Sequence, residues 1–156
     1  MDIIIETPRG SHDKLKYDLR KEQFIIIKTL PEGLVFPFDF GFVPQTRGED
    51  GDPLDILILS ASGHPTGTQI DAHILGCLPA NQTDKERTYR NDRFVGVPAD
   101  SEEYDSIRSI EQLPEGTISA IQSFFSIYLA AENKKIDFLP VLDARQASQL
   151  LQLAKS

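Results

Sequence analysis

The chain has 156 residues and a formal net charge of −8, from 24 acidic and 16 basic side chains. That length fits one domain, residues 1–156, with an apolar core of its own. The acidic balance argues against an extended nucleic-acid surface, which needs clustered lysine and arginine, and the single cysteine, Cys77, excludes an intrachain disulfide.

In chain order, the first apolar run is Ile3 to Ile5, closed by Glu6. It is too short for the core of a signal peptide or for a membrane span, so the expectation is a soluble, cytoplasmic chain with no membrane partner. Further runs at Phe24 to Ile27, Ile56 to Leu59, Ile70 to Leu78 and Phe94 to Val97, bounded by Gly, Pro and Asp, predict strands of a compact, mostly antiparallel sheet or barrel. Beyond Pro98, Asp100 or Ser101 is placed to cap a short helix through Ile110. Pro114 opens a longer helix that carries Ile118, Ile121, Phe125, Tyr128 and Leu129 at three- and four-residue steps. Asp143 with Gln146 has the form of a capping box and predicts a last helix from Ala144 to Lys155. These elements make an α+β domain, a small barrel followed by helices, with its chemistry on the loops between strands.

The segment Asp50-Gly51-Asp52-Pro53-Leu54-Asp55 sets three carboxylates within six residues. Like charges so crowded repel one another unless a cation sits among them, and a hard divalent ion with oxygen ligands is the natural candidate. An EF-hand loop would need a ligand at its fifth position and glycine at its sixth, where Leu54 and Asp55 stand, and a helix where a strand pattern follows. On these residues alone an Asp-Gly turn with solvated acids stays open as the alternative. His12, His64 and His73 show no metal-ligand spacing, and the chain has neither a P-loop nor a Gly-x-Ser-x-Gly elbow.

Preceded by FPFDFGFVPQT (Phe36 to Thr46), the DGDPLD loop resembles the signature region of the soluble, magnesium-dependent inorganic pyrophosphatases of the barrel-fold family. The similarity runs from IETPRGS near the start, through FVGVPAD (Phe94 to Asp100), to FFSIY (Phe124 to Tyr128). It implies a five-stranded OB-like β-barrel with helices packed after it. It also implies Mg2+ or Mn2+ as cofactor, pyrophosphate as substrate and a homo-oligomer, bacterial members being commonly hexamers. By position, Asp50 and Asp55 match metal-binding aspartates, with Asp55 bridging, and Asp52 matches the carboxylate that orients and deprotonates the attacking water. Glu6 falls where the family has a glutamate at the mouth of the site, although a surface glutamate ending a strand would look the same. Lys14, Lys28, Arg93 and Tyr128 fall at substrate-binding positions, while Tyr128 also belongs to the apolar stripe of its helix. The remaining metal positions fall on Asn91 and Asp84, with Glu86 in place of Asp84 when the count from Arg93 is made without a gap.

The chain departs from the family pattern around the same loop. Lys16 stands for a glutamate, Leu15 for a tyrosine, Lys28 for an arginine that grips phosphate, Phe36 and Phe40 for tyrosines, Asn91 for a metal-bridging carboxylate and Leu129 for a lysine. A lost hydrogen bond to a charged group is worth about 1.5–3 kcal/mol, and each 1.4 kcal/mol of transition-state stabilisation is about tenfold in rate. Three readings follow: an inorganic diphosphatase with an altered phosphate clamp, a catalytically degenerate binding or regulatory protein on the same fold, and a hydrolase of another phosphoanhydride.

Overall fold

The computed structural model describes residues 1–156. Its strands are β1 (Asp2–Thr7), β2 (Asp13–Asp18), β3 (Gln23–Thr29), β4 (Asp39–Val43), β5 (Leu54–Ile58), β6 (Gln69–Leu78), β7 (Ala80–Asp84), β8 (Arg87–Arg90), β9 (Arg93–Pro98) and β10 (Lys134–Phe138), and its helices are α1 (Thr117–Ala130) and α2 (Ala144–Leu153). Five strands close into a barrel in the order β1-β4-β5-β9-β6, β2 and β3 form a separate hairpin, and β10-β7-β8 form a small sheet. All barrel neighbours are antiparallel except β5 and β9. That parallel pair starts both strands at one rim and sets Asp55 opposite Arg93.

Strand side chains alternate between faces, and here both faces are apolar because each feeds a core. Ile56, Ile58 and Phe94 pack with Ile3, Ile5 and Leu151 of α2, while Leu57, Val95 and Val97 pack with Phe36, Phe38, Phe40 and residues of α1. Phe38 lies 5.6 Å from Phe124 and 5.7 Å from Phe125, which seats α1 on the barrel. Burying each such ring is worth about 1.5–3 kcal/mol. At Gly41 a Cβ would lie 2.1 Å from the Ile4 carbonyl oxygen, so the crossing of β1 and β4 requires glycine.

Asp39, at the start of β4, is fully buried. Its carboxylate accepts the backbone N–H groups of Arg9 at 2.9 Å and His64 at 3.0 Å, and contacts His64 Nδ1 at 2.7 Å. It thereby ties together two loops that leave the barrel. The β2–β3 hairpin is fastened to β1 by two side chains. Thr7 Oγ1 donates to the Leu15 carbonyl at 2.9 Å and accepts the Leu15 N–H at 3.0 Å, and Glu6 accepts the Tyr17 N–H at 2.8 Å.

The α+β barrel expected from the sequence is the fold observed, with three differences in the helices. The short helix expected from Asp100 or Ser101 through Ile110 does not form. The segment is a run of turns ending in a single 3₁₀ turn, Ile110–Gln112. Its apolar residues Tyr104, Ile107 and Ile110 recur every three positions, which suits 3₁₀ geometry, and the stretch is too short to offset the cost of nucleating an α-helix. The long helix starts after Gly116, at φ 89°, rather than at Pro114. The last helix has the expected capping box, Asp143 accepting the Gln146 N–H at 2.8 Å, but stops at Leu153 because Lys155 forms a bridge with Thr46. No helix is long and apolar enough to cross a membrane, and Cys77 is buried as a free thiol.

Candidate active site

The acidic loop is shaped by its own backbone. Asp50 Oδ1 accepts the Asp52 N–H at 3.0 Å, the Gly51 N–H donates to the Gly48 carbonyl at 3.0 Å, and the Gly48 N–H donates to the Asp52 carbonyl at 2.8 Å. Gly51 has φ 87°, a conformation that other L-residues rarely adopt. The Leu54 N–H then reaches Thr46 Oγ1 at 3.0 Å and β5 begins.

This loop borders a cavity of about 270 Å³ at the barrel rim. Its acidic groups are Glu6, Asp50, Asp52 and Asp55, and its basic groups are Lys14, Lys16, Lys28, Arg93 and Lys134. Tyr128 and Asn91 also line it, so the cavity gathers nine of the ten residues singled out from the sequence. Asp84 is the tenth. It ends β7 and, with Glu86, faces a neighbouring depression of about 610 Å³ that Asp50 and Tyr89 also border. Lys134 Nζ lies 4.0 Å from the Asp84 carboxylate and links the two hollows.

The barrel supplies most of the acidic half and the outer elements most of the basic half. Lys14 Nζ lies 5.3 Å from the centre of the Tyr128 ring and 5.5 Å from that of Phe40, and Lys28 Nζ lies 5.0 Å from the Tyr128 ring. Both ammonium groups thus rest on aromatic faces. The Arg93 guanidinium stacks 4.4 Å from the centre of Phe125 and donates to Gln82 Oε1 at 3.0 Å. Lys16 donates to Asp52 Oδ2 at 2.7 Å, and Lys28 donates to Glu132. The Asn91 amide, oriented to satisfy both neighbours, donates to Asp55 Oδ2 and accepts from Arg93, each at 3.3 Å. Asp92 turns away from the cavity and accepts the Ala80 N–H at 3.2 Å.

Burial dominates the protonation equilibria. It lifts the Glu6 carboxyl, with help from the Asp55 charge, to about 7 against the Tyr17 N–H that stabilises the anion. It raises Asp55, although Arg93 and Lys14 offset part of the effect. It lowers Lys14 to about 8, against the pull of Asp55, and lowers Arg93 as well. For Lys16 burial also acts downward, but the hydrogen bond and charge of Asp52 outweigh it and the ammonium is held above the ordinary lysine value. Burial pushes the Tyr128 hydroxyl far up and keeps it neutral. That hydroxyl, the Arg93 Nε and Glu132 Oε1 are buried without a protein hydrogen-bond partner.

The four carboxylates offer hard oxygen donors, and no three acidic, histidine or cysteine side chains form a closed metal cage. A small hard cation that takes one or two carboxylates, with water and phosphate oxygens completing its shell, fits such a wall.

Sequence reasoning missed Gln82, Glu132, Tyr89 and Lys134, and took Lys16 only as a departure. Gln82 is buried on the hairpin strand β7, its Nε2 donating to the Tyr89 hydroxyl at 2.9 Å. Alternation along β7 was the one available signal, since Gln82 shares its parity with buried Ala80. Gln82→Leu is expected to destabilise the chain by about 1–3 kcal/mol in urea denaturation, because the buried Arg93 donor loses its acceptor.

The geometry agrees with the comparisons. The family model described as "Inorganic pyrophosphatase" matches residues 3–156. The soluble inorganic pyrophosphatase of Oryza sativa subsp. indica is 36% identical over 152 residues, covering 94% of this chain and 68% of its own length. The inorganic pyrophosphatase of Thermus thermophilus is 34% identical over 150 residues, covering 96% of this chain and 83% of its own. The crystal structure of inorganic pyrophosphatase from Thermus thermophilus superposes with a TM-score of 0.90 at 31% identity, covering 99% of this chain and 88% of that one. The Helicobacter pylori enzyme gives 0.91 at 25% identity, with 99% and 90% covered. With the match running through barrel, acidic loop and α1 alike, the chain belongs to the inorganic pyrophosphatase family.

Proposed function

We propose that this chain, acting as a single domain, hydrolyses inorganic pyrophosphate to two orthophosphates with Mg2+ as cofactor and Mn2+ as a working substitute. One observation carries the reading: a single cavity opposes the loop aspartates to Lys14, Lys28 and Arg93, with the partnerless Tyr128 hydroxyl buried at its wall. Asp50 and Asp55 would supply the one or two carboxylates that hold an ion, with Glu6, Asp84 and the Asn91 carbonyl oxygen as outer donors. When bound, the metal neutralises phosphate oxygens and lowers the pKa of a coordinated water.

The chain's own groups do the rest. Arg93, fixed by Gln82, and Lys28, fixed by Glu132, hold phosphate oxygens, with Lys14 and the Tyr128 hydroxyl as further donors. Asp52 takes the proton of the attacking water through Oδ1, the oxygen that the Lys16 contact leaves free. The water oxygen bonds to one phosphorus, the bridging P–O bond breaks, and the second orthophosphate leaves. Cytoplasmic location and assembly as a homo-oligomer, a hexamer, belong to the same proposal, and light scattering after size exclusion reports the assembly.

Phosphate release from magnesium pyrophosphate tests the reading. The expected result is metal-dependent release that falls about 10²–10⁴-fold in Asp52→Asn. No release with any of several metals, and no difference between wild type and Asp52→Asn, would overturn it. The Lys16–Asp52 ion pair favours one alternative, a degenerate binding protein, since it engages the proposed base. That reading predicts metal binding without turnover, and a panel of other phosphoanhydrides separates it from a hydrolase of different substrate choice.

A further inference from the structure

We infer that the Lys16 ammonium is a tethered counter-cation that competes with one divalent ion for Asp52. This rests on the reading that the acidic loop binds metal. Among the loop carboxylates, Asp52 alone is paired with a lysine, at 2.7 Å. The cavity holds five basic groups against four carboxylates, so Lys16 tips its balance to positive. A divalent ion placed on Asp52 would lie beside the ammonium, and the two repel.

The pair is built to open. Lys16 and Asp52 are 43% and 49% exposed, so water screens their attraction and the bond is weak. Lys16 is carried by β2 and Asp52 by the loop before β5, two elements with no backbone pairing between them. Asp52 Oδ2 therefore has two alternative partners, the ammonium at low metal concentration and a divalent ion at high concentration. The consequence is a metal requirement set partly by one lysine.

Mn2+ binding to the purified full chain, counted by equilibrium dialysis and by the spin-resonance signal of free Mn2+, tests this without recourse to turnover. Lys16→Gln is expected to bind Mn2+ at least fivefold more tightly than wild type, or to bind one more ion per chain. Lys16→Arg should match wild type, and adding Asp52→Asn to Lys16→Gln should abolish the gain. Lys135→Gln removes a charge from outside the cavity, where Lys135 is 74% exposed beside Asp137, and its effect should stay within twofold. Lys16→Gln within twofold of wild type, or an equal gain in Lys135→Gln, would overturn the inference, as would a lack of Mn2+ binding in every variant. If Mn2+ binding responds as expected while no variant releases phosphate from pyrophosphate, the inference stands and the hydrolase reading falls.

Discussion

Asp55→Asn is expected to lower pyrophosphate hydrolysis by about 10²–10³-fold without unfolding the chain. Asp55 stands at the start of β5, opposite Arg93 across the parallel pair, at the cavity wall. Its half-buried carboxyl is partly desolvated, which raises its proton affinity, and a charge so placed gains from a cation brought close to it. The amide has the same shape and still accepts from Asn91 through its carbonyl oxygen, so packing is retained while the charge is lost. Initial rates at saturating metal, read beside a circular-dichroism melt, separate the two effects. A loss of less than tenfold with an unchanged melt would remove Asp55 from the centre of the mechanism.

Asp39→Ala is expected to be the costliest change to the scaffold outside the site. The carboxylate is fully buried and meets two backbone N–H groups and the His64 ring. Alanine leaves all of them buried without an acceptor, at a cost of about 3–5 kcal/mol. At about 2–4 °C per kcal/mol for a chain of this size, the melting temperature should fall by roughly 6–20 °C. Asp39→Asn keeps one acceptor oxygen and should fall between the two. A melt within 2 °C of wild type for the alanine variant, about the shift from 1 kcal/mol or less, would show that water replaces the carboxylate at no cost.

How much of this was legible follows from where each signal resides. Charge crowding alone marked Asp50, Asp52 and Asp55, and apolar runs marked β5, β6 and β9, because both effects are local in sequence. The hairpin strand β2, Asp13–Asp18, gave no such signal. Leu15 and Tyr17 do alternate with Lys14, Lys16 and Asp18, but two apolar residues are too few to mark a strand, and all six positions are half-buried, with lysines facing a cavity instead of open solvent. β7, β8 and β10 are short and mostly polar, and form a small sheet of their own outside the barrel. The pairing of Lys28 with Glu132 spans 104 residues and that of Lys16 with Asp52 spans 36, and no local pattern encodes either. Resemblance supplied the positions, whereas only the fold shows that Lys16 meets Asp52 and that the Asn91 amide lies between Asp55 and Arg93.

The β2–β3 ribbon carries Lys14, Lys16 and Lys28, three of the five cavity cations, and its strands pair with each other but with no barrel strand. The carboxylates of Asp50, Asp52 and Asp55 belong to a loop and strand anchored in the closed barrel. Most of the positive charge is therefore mounted on a part separate from the one that carries the loop carboxylates. The sign of the electrostatic potential in the hollow is set by how the ribbon seats on the barrel, through its Thr7 and Glu6 fastenings and the Lys28–Glu132 pair.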